Sequence, residues 1–324
     1  MSLQVLAEGA APYKAPDFAA HRAWMRDRKP RGLVSKIMDE HEAVARFVDD
    51  GDYLAYDCNM FMRGPASLLR EIVRQRKRRL WLCGKFTYVD VAFLVAAGVA
   101  DRVDVGFVGG GQLLTNAIAQ GRLQTYEYSN VTLTLRLQAG AMGVPFLPAR
   151  FFGGTTGFQH SGAKLVTDPF SGDPVVLLPA LHPDVGIIHV HQADVYGNAR
   201  VFGTGIAHVE TALASRKVIL SAEEIIETEE IRRNPGLTSI PYSVVDAVVH
   251  APFGAFPGTC AGRYGSDSEQ VMQLWMGIAM DRLQPYLDEW VYGVASHEDL
   301  LEKLGARRLL ALQARERIRE GYVP

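Results

Sequence analysis

The 324 residues are 48% hydrophobic and 22% charged, with a formal net charge of −2, which is typical of a globular protein with a sizeable core. This charge argues against a nucleic-acid partner, whose recognition requires a strong basic excess. The scattered cysteines Cys58, Cys83 and Cys260 indicate neither a disulfide framework nor a C-x-x-C metal site. Because neither a signal-peptide pattern nor an apolar run of about 20 residues occurs, we expect a cytoplasmic protein that does not enter a membrane.

Strand and helix patterns alternate along most of the chain. Residues 1–34 are interpreted as an N-terminal extension with a helix around Phe18–Arg28. Strands are then predicted at Tyr53–Tyr56, Leu80–Gly84, Arg102–Val108, Val185–Val190, Val218–Leu220 and Val244–Val249. Helices are predicted within Lys36–Val48 and at Ala66–Arg79, Val89–Ala97, Leu113–Gln120, Asn130–Met142, Ile206–Ser215 and His297–Leu304. This alternation predicts right-handed crossovers and a mainly parallel sheet.

The loop D-C-N-M-F-M-R-G-P, Asp57–Pro65, follows the first of these strands. It contains Cys58, which as a thiolate would be a nucleophile. A thiolate needs a cationic or helix-terminal environment to form, so an inert packed thiol is the preferred interpretation.

Three consecutive glycines, Gly109, Gly110 and Gly111, stand between a predicted strand and a predicted helix. Glycines at such a turn allow the backbone to approach a ligand and to present N–H groups to an anion. The G-G-G-Q pattern matches neither the G-x-G-x-x-G of a dinucleotide site nor the G-K-[ST] of a P-loop, so neither NAD nor ATP is indicated.

Glu127 lies at the predicted carboxyl end of a strand, between two tyrosines. A carboxylate at that position is either a functional base or nucleophile, or an acid that anchors the following helix, and the sequence leaves both interpretations open.

A polar cluster follows the strongly apolar strand Val185–Val190, and Gln192 belongs to it together with His189, His191, Asp194 and Asn198. In open α/β sheets, ligands bind at the carboxyl ends of the strands. The two histidines alternate along a strand and share one face, but the spacing suggests no third or fourth ligand, so we predict hydrogen-bonded structural histidines and no metal site.

Further along, Ser221-x-x-Glu224 has the pattern of a helix capping box. It predicts an acidic helix whose glutamates, Glu223 and Glu224 among them, are spread around a solvated face and take no part in catalysis.

Several segments in one order resemble the alpha subunits of family I coenzyme A transferases, of the glutaconate CoA-transferase type. They are S-K-I-M from Ser35, G-A-M-G-V-P-F-L-P from Gly140, the Leu178–Gly205 stretch, A-E-E-I-I-E-T-E-E-I-R-R-N-P from Ala222, V-D-A-V-V-H-A-P-F-G-A-F-P from Val245 and L-E-K-L-G-A-R-R from Leu301. The resemblance covers nearly the whole chain from Ser35.

The resemblance implies a three-layer α/β/α fold with a mainly parallel sheet, the CoA-transferase (NagB/ribose-phosphate isomerase/CoA-transferase-like) fold, as one domain over residues 35–324. It also implies a coenzyme A thioester as substrate, a small carboxylate as acceptor and no tightly bound cofactor. The attacking glutamate would come from a partner beta subunit in an α2β2-like assembly. This chain would contribute binding residues, for which Arg63, Gly109, Gly110, Gly111 and Gln192 are the candidates.

Arg63 matches an arginine that is common before the proline in this family, and an anion contact and a salt bridge are both open for it. Two alternative functions remain. Certain relatives that hydrolyse a ring-bearing CoA thioester are thought to use an alpha-chain glutamate in the region of Glu127. A non-catalytic binding subunit is the third possibility, because Asp57 and Cys58 replace glycines that are usual in the family.

Overall fold

The computed structural model describes residues 4–86, 88–107, 111–203 and 205–314. Its strands are β1 (Val5–Glu8), β2 (Tyr53–Tyr56), β3 (Leu80–Gly84), β4 (Ala100–Val105), β5 (Gln124–Glu127), β6 (Phe146–Ala149), β7 (Lys164–Thr167), β8 (Pro174–Pro179), β9 (Val185–Ala193), β10 (Ala199–Arg200), β11 (Lys217–Ile225) and β12 (Ala247–His250).

The helices alternate with the strands through most of the chain. They are α1 (Phe18–Asp27), α2 (Glu40–Phe47), α3 (Ala66–Arg74), α4 (Tyr88–Ala96), α5 (Gln112–Ala119), α6 (Asn130–Met142), α7 (Thr156–Gln159), α8 (His208–Ala214), α9 (Thr228–Arg233), α10 (Ser268–Ala279), α11 (Gln284–Leu287), α12 (His297–Leu304) and α13 (Ala306–Ala314). Within the described residues, none of them is both long enough and apolar enough to cross a membrane.

The main sheet has the strand order β12-β11-β9-β2-β3-β4-β5, and every neighbouring pair in this order is parallel. The two-residue strand β10 folds back antiparallel onto the end of β9. This arrangement confirms the predicted mainly parallel α/β fold. Because all the long strands run in one direction, their carboxyl ends lie along a single edge of the sheet.

Helices cover both faces of the main sheet, and β2 shows how the sequence produces this. Its side chains alternate: Leu54 and Tyr56 enter the large core beneath α3, α4 and α5, whereas Tyr53 and Ala55 pack toward α6 and α8. All four are buried, as expected for a strand covered on both faces.

Helix α6 begins as its sequence predicts. The hydroxyl of Ser129 accepts a hydrogen bond from the backbone N–H of Thr132 at 3.0 Å, and the Thr132 hydroxyl accepts one from the Ser129 N–H at 2.7 Å. This capping box satisfies two otherwise unpaired donors at the helix start. Farther along, the buried Arg136 guanidinium pairs with Asp104 of β4 at 2.5 Å, which attaches α6 to the main sheet.

A second, antiparallel sheet with the order β1-β7-β8-β6 packs beside α6. No pattern in the sequence predicts this sheet, because its short strands come from distant parts of the chain and carry no strong alternation.

The N-terminal segment is packed against the rest of the chain. Its strand β1 completes the small sheet by pairing with β7. In α1 the ring centroid of His21 lies 4.2 Å from that of His182, and after α1 the ammonium group of Lys29 forms a buried ion pair with Asp246 at 2.5 Å. This segment is therefore part of the folded structure and not a free tail.

Candidate active site

A buried ion pair lies at the carboxyl end of β2. The Asp57 carboxylate accepts a hydrogen bond from the Arg63 guanidinium at 2.5 Å and another from the backbone N–H of Ile206 at 2.9 Å. Arg63 also donates to the backbone carbonyl of His189, in β9, at 2.5 Å. Only 5% of the Arg63 side chain and none of the Asp57 side chain is exposed. The pair therefore ties the loop after β2 to the neighbouring strand and to the loop before α8.

The charges of this loop favour an ionised Asp57 and a neutral Cys58. Burial opposes ionisation of Asp57, but Arg63, Lys85 and His208 outweigh it and hold the pKa of this carboxyl below its usual range. Burial, followed by the adjacent Asp57 charge, raises the pKa of the Cys58 thiol to about 12. Cys58 is thus a packed thiol at neutral pH, as the sequence predicts.

A buried acid, Asp90, contacts the loop after β2 through a backbone hydrogen bond. Asp90, in the first turn of α4, accepts a hydrogen bond from the backbone N–H of Met60 at 2.8 Å. Burial raises the pKa of Asp90 well above its ordinary value, so this carboxyl is protonated over part of the range in which an exposed aspartate is ionised.

The backbone at this edge of the sheet adopts unusual conformations. Among the described residues, several non-glycine residues with positive φ lie in the loops after β2, β3, β10 and β12, namely Cys58 (61°), Arg63 (41°), Phe86 (51°), Ala207 (69°) and Phe253 (56°). Such conformations cost about 1–3 kcal/mol each and collect at functional sites, where surrounding contacts enforce them. Because ligands bind at the carboxyl ends of the strands in open α/β sheets, we take this edge of the main sheet as the candidate active site.

A second buried polar group lies between β9 and β11. The ring of His189 contacts the Glu223 carboxylate at 2.7 Å through Nε2 and the Ser221 hydroxyl at 2.9 Å through Nδ1. Glu223 also accepts hydrogen bonds from the Tyr264 hydroxyl at 2.5 Å and from the backbone N–H of Phe253 at 2.9 Å. Burial opposes its ionisation, but these donors, with His189 first, hold the pKa of Glu223 below its usual range.

Large apolar side chains are exposed in several loops at the same edge of the sheet. We give the name apolar rim to four side chains in the loops after β2, β3, β4 and β10 whose exposed fractions lie between 39% and 55%, namely Met62, Phe86, Phe107 and Phe202. Exposed large apolar side chains are typical of surfaces that another molecule covers.

Comparisons with known proteins show the family of this chain. The sequence model of the coenzyme A transferase family matches residues 37–251, about two thirds of the chain. The chain belongs to this family.

Individual relatives refine the comparison. The chain is 30% identical to the A subunit of glutaconate CoA-transferase from Acidaminococcus fermentans, over 86% of this chain and 95% of that protein. The crystal structure of glutaconate coenzyme A-transferase from the same organism matches with a TM-score of 0.81 and 31% identity, over 86% of this chain and 96% of that one. The chain is also 29% identical to the cholesterol ring-cleaving hydrolase IpdA subunit of Mycobacterium tuberculosis, over 76% and 90% of the two chains.

Within this CoA-transferase fold, Glu127 lies apart from the buried polar groups. It ends β5, the edge strand of the main sheet, and β5 is three strand positions from β2, or about 14 Å at the usual spacing. Its side chain is exposed, and its backbone N–H donates to the carbonyl of His160 at 2.9 Å. It pairs in register with Val105, the last residue of β4. A catalytic role for Glu127 stays a prediction.

Gln192 points to the other face of the sheet from His189 and His191, because side chains alternate along β9. Its amide N–H donates to Glu224 of β11 at 3.1 Å, and its oxygen accepts from Arg200 at 3.3 Å. The structure therefore does not bring Gln192 into the group formed by His189 and Glu223, and substrate binding by Gln192 stays a prediction.

The glycine loop is described only in part. Gly109 and Gly110 lie outside the described residues. Gly111 precedes α5, and a Cβ atom there would lie 2.6 Å from the carbonyl oxygen of Ile278 in α10. Close helix packing therefore explains this glycine, and ligand binding by the triplet stays a prediction.

The acidic helix predicted from Ser221 is wrong at its start. The chain continues as β11 to Ile225 because residues 217–225 pair with β9, and this pairing satisfies the backbone groups that a capping box would otherwise serve. Glu223 consequently lies in a strand and is buried against His189, not on a solvated helix face. The helix α9 begins only at Thr228. The sequence signal that could have revealed this is the same-face spacing of Ile219, Ser221 and Glu223.

Proposed function

We propose that this chain is the alpha subunit of a heteromeric acyl-CoA:carboxylate CoA-transferase that works in the cytoplasm with a beta subunit in an α2β2-like assembly. The observation that carries the proposal is the state of the buried carboxylates at the carboxyl edge. Asp57 and Glu223 each accept several internal hydrogen bonds, and only 0% and 6% of their side chains are exposed. Carboxylates held in this way stabilise the site and are poorly placed to attack a substrate. We therefore assign the nucleophilic glutamate to the partner, as the family resemblance implies.

The reaction needs such a nucleophile. The partner's carboxylate attacks the acyl carbonyl of the thioester and expels CoA thiolate, which forms a mixed anhydride. The thiolate then attacks the glutamyl carbonyl of the anhydride, which releases the first carboxylate and leaves CoA bound to the partner as a thioester. The acceptor carboxylate repeats these two steps in reverse and leaves as the new acyl-CoA.

This chain would contribute one side of the cleft. The loops at the carboxyl edge carry both the apolar rim and the buried pair of Asp57 and Arg63. A second subunit that covers the rim would exclude water from the thioester and the anhydride. Arg63 and the three glycines would contribute to substrate binding, and Arg63 would also fix the shape of the loop after β2 through its ion pair with Asp57.

The test is to purify the chain with its candidate beta subunit and to incubate the complex with a panel of acyl-CoA esters, with and without acceptor carboxylates. We expect acyl-CoA to be consumed only when an acceptor is present and a new thioester to form. Borohydride should then reduce the glutamyl–CoA thioester, which releases CoA as the thiol and converts the attacked glutamate of the beta subunit into its alcohol, as peptide mass spectrometry would show. Esters that bind without any turnover would indicate a non-catalytic binding subunit and contradict the proposal.

A specific observation favours a second candidate, a CoA-thioester hydrolase. Glu127 is an exposed carboxylate in register with Val105, and a subunit of a hydrolase, the cholesterol ring-cleaving hydrolase of M. tuberculosis, is among the relatives. In this mechanism Glu127 takes a proton from water, the resulting hydroxide adds to the thioester carbonyl, and CoA leaves as the thiol after protonation.

The Glu127→Gln variant separates the two candidates, with Glu302→Gln, also at an exposed glutamate, as the matched control. A hydrolase would release free CoA without acceptor, and Glu127→Gln would lower that rate by about 100-fold or more, the usual contribution of a general base. In a transferase, both variants would keep most of the exchange activity.

A further inference from the structure

Three side chains of the kinds that bind transition metals converge beneath the loop 251–264. They are His189 of β9, Glu223 of β11 and Cys260, which lies in that loop. His189 and Cys260 are buried, and the Glu223 side chain is 6% exposed. One potential ligand atom from each lies within 4.8 Å of the other two. The spacing of these residues in the sequence gives no indication of the group, because strand pairing and a long irregular loop bring it together.

The register of the sheet explains two of the three positions. Ser221 of β11 lies opposite His189 of β9, and Glu223, two residues later, projects from the same face. The third position depends on a glycine. A Cβ atom on Gly254 would lie 2.6 Å from Cε1 of His189, so a larger residue there would push the loop away from the ring.

Neighbouring groups already orient the potential ligand atoms. The Ser221 hydroxyl contacts Nδ1 of His189 at 2.9 Å, and the backbone N–H of Phe253 donates to Oε2 of Glu223 at 2.9 Å. Nε2 of the histidine and Oε1 of the glutamate are left facing each other at 2.7 Å. Metal-binding histidines and carboxylates are characteristically held in this manner by a second set of hydrogen bonds.

A further potential ligand accompanies Cys260. Residues 260–264 form a tight turn in which the backbone N–H of Tyr264 donates to the Cys260 carbonyl at 3.0 Å, and the Tyr264 hydroxyl reaches Oε1 of Glu223 at 2.5 Å. The group therefore presents nitrogen, sulfur and oxygen atoms from two strands and one loop.

We propose that His189 Nε2, Glu223 Oε1 and Cys260 Sγ bind a divalent ion of the zinc class, with the Tyr264 hydroxyl at the fourth position. Zinc accepts this mixture of nitrogen, oxygen and sulfur ligands in a tetrahedron. Bond lengths of about 2.0–2.3 Å place the ligands of a tetrahedron about 3.3–3.8 Å apart. Nε2 of His189 and Oε1 of Glu223, now 2.7 Å apart, would therefore separate by about 0.6 Å as the ion enters between them, and Sγ of Cys260, within 4.8 Å of both, would close on the ion by up to about 1 Å. One thiolate and one carboxylate neutralise the two charges of the ion.

Such an ion would fasten the loop 251–264 to β9 and β11. The backbone carbonyl of His189 also accepts the hydrogen bond from Arg63. The ion would therefore be a structural centre that stabilises β9 and the Arg63 contact at the candidate active site, whichever reaction the site performs.

The experiment uses the full chain without an affinity tag that binds metals, in the assembly in which it purifies. After treatment with a chelator, the protein is titrated with Co²⁺, a spectroscopic substitute for Zn²⁺, and its absorbance is recorded. We expect one equivalent of Co²⁺ to produce a thiolate-to-cobalt band in the near ultraviolet and the visible bands of a tetrahedral ion. One equivalent of Zn²⁺ should remove them.

Cys260→Ser should abolish the near-ultraviolet band and weaken binding by about tenfold or more, whereas Cys83→Ser, at another buried cysteine, should leave both unchanged. Circular dichroism in metal-free buffer checks that each variant is folded. His189→Gln, which removes the imidazole ligand, provides a second test should Cys260→Ser not fold. Folded wild-type protein without the thiolate band, or a band that persists in folded Cys260→Ser, would overturn the proposal.

Discussion

Replacement of Arg63 by methionine tests the buried ion pair on which the shape of the candidate site depends. Methionine fills similar volume but leaves the Asp57 carboxylate, which is fully buried, without its 2.5 Å partner, and it removes the bond to the His189 carbonyl. Removing one partner of a buried pair costs about 3–5 kcal/mol because the other charge stays desolvated. We expect Arg63→Met to lower the free energy of unfolding by that amount, and the melting temperature by about 10 °C.

A double-mutant cycle with Asp57→Asn isolates the pair. If the cost of Arg63→Met arises from the stranded charge, the double variant should be more stable than Arg63→Met by about 2 kcal/mol, since the asparagine side chain carries no charge. Urea unfolding followed by circular dichroism measures all four proteins. Arg150→Met removes an exposed arginine that pairs with Asp173, and it serves as the control without a measurable change.

The pH dependence gives an independent check of the same reasoning. In the wild type, the lowered pKa of Asp57 means that its contribution to stability is present above the unfolded-state pKa of about 4 and is lost as the pH falls through the folded-state value. In Arg63→Met the Asp57 pKa should rise, so the deficit relative to wild type should shrink as the pH is lowered from about 7 to about 5. Equal deficits at both pH values, or additive effects in the cycle, would refute the account.

Three further predictions concern other buried titratable groups. Asp90→Asn should raise the melting temperature at about pH 7 and lose this gain toward about pH 4, because the raised pKa of Asp90 makes the folded state less stable as the pH rises above the unfolded-state pKa; a lower melting temperature at neutral pH would contradict this. Burial, with the neighbouring His182, lowers the pKa of His21 to about 4, so wild-type stability should fall between pH 6.5 and 4 more steeply than that of His21→Gln, and equal slopes in urea unfolding would count against it. Cys58 should resist iodoacetamide at about pH 8 in the folded protein and react after unfolding in urea, as peptide mass spectrometry would show, whereas rapid labelling of the folded protein would disprove the raised pKa.

Local patterns in the sequence predicted much of the main sheet and its helices. Strands β2 and β3 and helix α12 have the predicted bounds, and α6 begins with the predicted Ser129 cap. These elements are specified by short-range features, namely apolar runs between turns, helical periodicity and capping residues, and such features act within a few residues of the chain.

The small antiparallel sheet could not be predicted in the same way. Its strand β1 begins at Val5, whereas its partner β7 begins at Lys164, and the pairing is stabilised only when the chain closes over that separation. Strands of four to six residues with mixed side chains give too weak a local signal to indicate such a partner.

The candidate active site likewise has features that the sequence predicts and contacts that only the tertiary structure sets. The sequence by itself determined that polar residues follow the apolar strand at Val185 and that a substituted loop follows β2, because both depend on neighbours in the chain. Only the tertiary structure decided that Glu223 faces His189, that Cys260 lies beside them, and that Arg63 pairs with Asp57. Strand register and loop closure set these contacts, since a shift of one residue along β11 would turn Glu223 to the opposite face of the sheet.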